Sequence, residues 1–148
     1  MKLIKKAFIP FKIRSINYFM YAPLKIIRRK KDNRTFPVNY KYIKYYNNCK
    51  KHIGIFFPYK KNRPGKKRFV YITFYKKKKL YDKQNFIGGC KPILDILKKL
   101  NYIRDDNEKW IEVFYKQILI NKKNKKREGF ILEIYEKEEK NNGTTWFG

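Results

Sequence analysis

Apolar side chains recur along this chain in two rhythms, near every second residue and near every third to fourth, with basic runs between them. Leu3, Phe8, Phe11 and Ile13 alternate imperfectly with polar neighbours, which predicts an opening strand ending between Pro10 and Ser15. Residues 15–24 read as a strand end and loop, and KIIRRKKDNRTF at 25–36 as a basic, turn-rich loop. Pro37 stands where a helix accepts proline, in its first turn. Val38, Tyr42, Tyr45, Tyr46, Cys49 and Ile53 then fall at three-to-four spacing and predict an amphipathic helix ending near Gly54. NRPGKK at 62–67 is a turn, and the aromatic and β-branched run from Phe69 to Tyr75 a strand.

KKKKLYDKQNFIGGC reads as a loop entering a second helix at about Cys90 or Lys91, with Pro92 in the first turn and Asn101 as the stop. On that helix Ile93, Ile96, Leu97 and Leu100 share the face to be buried, while Lys91 and Asp95, four residues apart, lie together on the opposite one. Trp110 to Ile120 and Gly129 to Tyr135 read as two strands joined by a basic hairpin, NKKNKKRE. The tail from Glu136 is polar, though Trp146 and Phe147 are available to pack. Strand, helix, strand, helix, strand, strand defines an α+β fold: a small mixed β-sheet with two helices packed against it.

With 148 residues, 43% of them hydrophobic, the chain builds one core and one domain, 1–148. Lys and Arg total 39 against 12 acids, a formal charge of +27 that calls for a polyanionic partner or a very polar solvent face. The excess of Lys over Arg, with abundant Asn, Ile and Tyr, is also what AT-rich codons produce, so charge alone fits DNA, RNA and a ribosome equally. Cys49 and Cys90 stand 41 residues apart without a CxxC pattern, which excludes a zinc ribbon and a disulfide framework and suggests a reducing cytoplasm. His52, the one histidine, has no partner by spacing. No apolar run nears the roughly 18 residues of a membrane span, which argues against a membrane role.

The acids are where charge becomes specific. Asp82, Asp95, Asp105 and Asp106, four of the five aspartates, fall within 25 residues that also hold Asn85 and Lys91. Carboxylates gathered in a positive field are a way to hold a hard divalent cation against a phosphate. Taken singly, each has a plain alternative: Asp105-Asp106 as a solvated turn, Lys91 with Asp95 as an exposed ion pair, Gly88-Gly89 as a loop. The spacing lets all the acids converge at one end of the sheet.

Taken together and in order, D-K-Q-N-F-I-G-G-C-K-P-I-L-D-I-L-K-K-L-N-Y-I-R-D-D resembles the core of the RusA-type crossover junction endodeoxyribonucleases, Holliday junction resolvases often encoded by phages and prophages. Their pattern reads D-x-D-N, a lysine, D-A-L and then D-D. Asp82, Asn85, Lys91, Asp95, Leu97, Asp105 and Asp106 fall on it, and Ser15-Ile16-Asn17 is similar to the family's S-x-N. The resemblance implies a homodimer that cuts branched DNA symmetrically with Mg²⁺ in recombination and repair. It implies Asp82 and Asp106 as metal ligands, with Asp105 beside them, Lys91 as a catalytic lysine, Asp95 orienting it and Asn85 fixing the loop. Gln84 departs from the pattern, standing where a second metal-binding carboxylate is expected. Its neutral carbonyl is a poorer partner for Mg²⁺, so a weakened or inactive branched-DNA binder, or another basic nucleic-acid-binding protein, is the alternative. Arg28, Arg29, Lys30 and Lys31, then Lys76, Lys77, Lys78 and Lys79, and a third run at 122–127, are either solvated loops or contacts to DNA phosphates.

Overall fold

The computed structural model describes residues 1–121 and 127–138. Residues 122–126, most of the third basic run, and the tail with Trp146 and Phe147 lie outside the described residues. The described chain is α+β: a four-stranded mixed sheet, a separate two-stranded hairpin, and helices against one sheet face. In chain order the elements are β1 (Lys2–Ile9), α1 (Asn17–Met20), β2 (Lys25–Arg28), β3 (Thr35–Val38), α2 (Tyr40–Phe56), β4 (Arg68–Lys76), α3 (Lys83–Lys99), β5 (Ile111–Leu119) and β6 (Gly129–Glu136).

The sheet order is β1-β6-β4-β5, with β4 and β5 parallel and β6 antiparallel to both β4 and β1. The last two strands therefore form no hairpin, contrary to the expectation from their spacing. A parallel pair needs a crossover, and α3 supplies it between β4 and β5. In the sheet β6 lies between β4 and β1. Apolar content explains the placement. Phe130, Leu132 and Ile134 of β6 are fully buried, whereas β5 carries exposed Glu112, Phe114 and Lys116, which suit an edge.

Two helix starts also differ from expectation. The stretch at 25–38 is a hairpin in which Pro37 pairs with Ile26, and α2 begins at Tyr40 because Asn39 caps it, its side-chain oxygen accepting from the Tyr42 N–H at 3.0 Å. Helix α3 begins at Lys83, seven or eight residues before the expected start, so Pro92 is interior and buried. The Gly88-Gly89 pair that reads as a loop is a packing device. A Cβ on Gly89 would lie 1.7 Å from the Arg14 carbonyl oxygen, and one on Gly88 would lie 2.7 Å from Cδ1 of Ile16. These glycines let α3 touch the segment after β1, which the Ile16 N–H ties to the Asn85 carbonyl at 3.0 Å.

The core lies between the helices and one sheet face. Tyr45, Cys49 and Ile53 of α2, and Phe86, Cys90, Ile93, Ile96 and Leu97 of α3, cover Val70, Ile72, Phe74, Phe130, Leu132 and Ile134. The other face carries Phe69, Tyr71, Tyr75, Phe114, Tyr135, Phe8 and Ile131 in register, and no helix among the described residues covers it. Both thiols are free and buried, and desolvation pushes both upward in pKa. Among the described residues no helix is long and apolar enough to cross a membrane.

Candidate functional site

Helix α3 sets the positions of the predicted site residues. Its apolar stripe docks on the sheet, leaving Lys91 exposed and Asp95 half-buried on the outer side. Burial raises the Asp95 carboxyl above its usual range, and the nearby Asp106 charge raises it further, against Lys91, Lys99 and Lys98, which lower it. Two carboxylates within electrostatic reach on a strongly basic protein are the central feature of this site.

Around them the chain turns. Asp105 accepts from the Asp106 N–H at 2.8 Å and from Lys98 Nζ at 3.1 Å, and these contacts hold its carboxyl below the usual range. Its charge is therefore already engaged, while Asp106 is exposed. Asp95 lines a hollow of about 600 Å³ with Arg63, Lys98, Lys99 and Asn101. Asp106 lines another of about 640 Å³ with Asn107, Glu108 and Glu112. The two glutamates have no signal in the family-like spacing; only the turn from α3 into β5 brings them beside Asp106.

Asp82 lies elsewhere. It caps α3, its side chain accepting from the backbone N–H groups of Gln84 at 3.0 Å and Asn85 at 3.4 Å. Thirteen residues of helix, at about 1.5 Å each, put it on the order of 20 Å from Asp95. Asp106 lies with Asp95 at the far end, so the expected convergence of all the acids does not occur. Asp82 and Asp106 cannot bind one ion. Gln84 is in the first turn, exposed, at the Asp82 end, so its missing charge is not missing from the Asp95–Asp106 pair. Asn85 does tie down the segment after β1, but through its backbone carbonyl. Among the described residues, no three His, Cys, Asp or Glu side chains are grouped to hold a metal ion. Mg²⁺ commonly takes one or two protein carboxylates and completes its shell with water and substrate phosphate. Asp95 and Asp106 line separate hollows and are near enough for the Asp106 charge to act on Asp95, while Asp82 stands apart at the start of α3.

The candidate phosphate contacts divide as well. Arg28 ends β2, and Arg29, Lys30 and Lys31 form the exposed turn to β3, where Asp32 accepts from Arg29 Nε at 3.1 Å. Lys77, Lys78 and Lys79 are exposed after β4. Lys76 is only 7% exposed; its Nζ donates to the Lys77 carbonyl at 3.2 Å and sits over the Tyr81 ring, and burial lowers its pKa. It belongs with the strand end and not with the three exposed lysines that follow.

No protein-family model matches the chain, and no curated protein matches it.

Proposed function

We propose that this chain binds branched DNA and hydrolyses its phosphodiester bonds in the manner of RusA-type junction endonucleases, with Asp95 and Asp106 as the carboxylates that hold Mg²⁺. The observation that carries this is the placement of Asp95 in a hollow lined by Arg63, Lys98 and Lys99 near the C-terminal end of α3, close enough to Asp106 for that charge to raise its carboxyl. Held there by Asp95 and Asp106, Mg²⁺ would supply an acidified water and would offset charge on the phosphoryl oxygens. The surrounding cations attract and orient the DNA phosphate. Asp105 holds Lys98 in place through their 3.1 Å contact.

The test is cleavage of a labelled four-way junction with and without Mg²⁺. Asp95→Asn and Asp106→Asn are each expected to lower the rate by at least about 100-fold, the scale of losing a transition-state electrostatic contact, while Asp82→Asn leaves it within a few-fold. Equal loss in Asp82→Asn would return the site to the other end of the helix.

A second reading, a branched-DNA binder without cleavage, is favoured by the distance of Asp82 and Gln84 from Asp106. It predicts an intact junction under all metal conditions and binding that is unchanged or tighter in Asp106→Asn. For either reading we propose a homodimer joined through the sheet face opposite the helices, which no helix covers among the described residues. Among the described residues Lys6, Lys67, Lys116 and Arg127 lie on or over that face with Glu112 and Glu133. Its aromatic side chains, among them Tyr71, Phe114 and Tyr135, are the apolar surface a second copy would cover.

A further inference from the structure

A second basic site stands away from the Asp95–Asp106 pair, in a small hollow of about 160 Å³ between the segment after β1 and α2. Arg14 and Lys12 enter it from the first, and Lys41, Lys44 and Asn48 from the second, with Tyr18 at its wall. Among the described residues no carboxylate lines it; Glu128 reaches Lys12 at 3.9 Å. Four cations converging from two elements repel one another, and a fold keeps such an arrangement at least cost when an anion shares it.

What separates this cluster from ordinary surface lysines is how firmly its arginine is placed. The Arg14 N–H donates to the Tyr45 hydroxyl at 3.0 Å, and that buried hydroxyl donates onward to the Gly89 carbonyl at 2.9 Å. The Arg14 carbonyl lies against Gly89, where even a methyl group would not fit. Two residues on, Ile16 is bonded to Asn85. The backbone at Arg14 is therefore tied to both α2 and α3. Its guanidinium lies 4.5 Å from the centre of the Tyr18 ring, which also carries Lys41 Nζ at 4.2 Å. Cation–π contact on that scale holds both charges over the ring without neutralising them.

Size selects the ligand. Small-molecule sites occupy roughly 300–1,000 Å³, so this hollow is too small for a nucleoside. At about 30 Å³ per water it holds a few waters, or one tetrahedral oxyanion with part of its shell. An arginine fork with ammonium groups around it suits phosphate.

We propose that this hollow is a phosphate site that seats one backbone phosphate of DNA and fixes the register of the strand relative to the Asp95–Asp106 end of α3. The inference rests on the chain being a DNA-binding protein and is independent of whether it cuts. Gly89, against which Arg14 is clamped, and Asp95 are six residues apart on α3, about 9 Å along its axis, so a strand held here runs within reach of the carboxylate pair.

The experiment is equilibrium binding of a fluorescein-labelled four-way junction in EDTA across a salt series. It compares the unaltered chain with Arg14→Gln/Lys44→Gln, and with Lys50→Gln/Lys51→Gln as a charge-matched control outside the hollow. The pocket variant is expected to bind more weakly and to lower the slope of log affinity against log salt by about 0.9, one phosphate's worth, beyond any change in the control. Inorganic phosphate, titrated against chloride at matched ionic strength, is expected to shift the NMR signals of Arg14 Nε–H and the Tyr18 ring in the unaltered chain. An unchanged slope in a pocket variant that melts normally overturns the proposal, and so does the absence of any phosphate-dependent shift at Arg14. A chain that binds the junction and never cuts it, but shows the slope loss, retires the hydrolytic reading and leaves the phosphate site standing.

Discussion

Replacing Asp82 with alanine removes the acceptor for two backbone N–H groups of the first turn of α3, and loss of such a cap costs about 1 kcal/mol. The measurement is a denaturant melt, and junction affinity is expected to stay level. Asp95 has the opposite sign. Its folded pKa is raised by burial and then by Asp106, so the folded chain holds that proton more tightly than the unfolded one. Stability from this group therefore falls as pH rises through the window between its unfolded and folded values. Asp95→Asn is expected to raise the melting temperature at neutral pH, and the gain should vanish once the pH drops below the ordinary aspartate range. Asp105, lowered by the Asp106 N–H and by Lys98, contributes stability above the unfolded value that is lost as pH falls through its folded one. A neutral-pH loss of stability in Asp95→Asn would contradict the assignment.

At the scale of elements, two helical glycines with different surroundings separate packing from propensity. A Cβ added at Gly54 in α2 would meet nothing within 4 Å, so Gly54→Ala is expected to stabilise by about 0.5–1 kcal/mol. Gly89 in α3 abuts the Arg14 carbonyl, so Gly89→Ala must push α3 and the segment after β1 apart and is expected to cost about 1–3 kcal/mol or more. Chemical denaturation of the two variants checks both signs. The same helix explains why the acids divide. Seventeen residues make α3 about 25 Å long, so the two ends of one motif are delivered to opposite ends of the sheet.

For the whole molecule, the sheet face that no helix covers among the described residues is where we propose that a second copy sits. Tyr71 stacks on Phe114 at 4.6 Å and meets Tyr135 edge-on at 5.3 Å, while the Lys6–Glu133 pair at 3.1 Å balances charge beside them. Exposed apolar faces of this kind mark interaction surfaces. The unaltered chain is expected to sediment as the proposed dimer, and Tyr71→Glu and Phe114→Glu each as a monomer, in analytical ultracentrifugation. An unchanged mass in both would move the interface elsewhere.

The α+β class, the apolar stripe of α3 and the placement of Lys91 and Asp95 on its outer side were legible in the chain, because a helical period of 3.6 and a strand period of two are local properties. The basic character was equally plain from composition. Folding alone decided that Asp82 caps a helix, that Gly88 and Gly89 are contacts, that Lys76 is buried and that β6 slips between β4 and β1. Each of these depends on what lies opposite in space: a carbonyl at Arg14, a neighbouring strand, a helix running its full length. Spacing along a chain measures separation only until the backbone coils. An α-helix compresses thirteen residues to about 20 Å yet holds them apart, whereas the turn after it returns Asp106 to where its charge acts on Asp95.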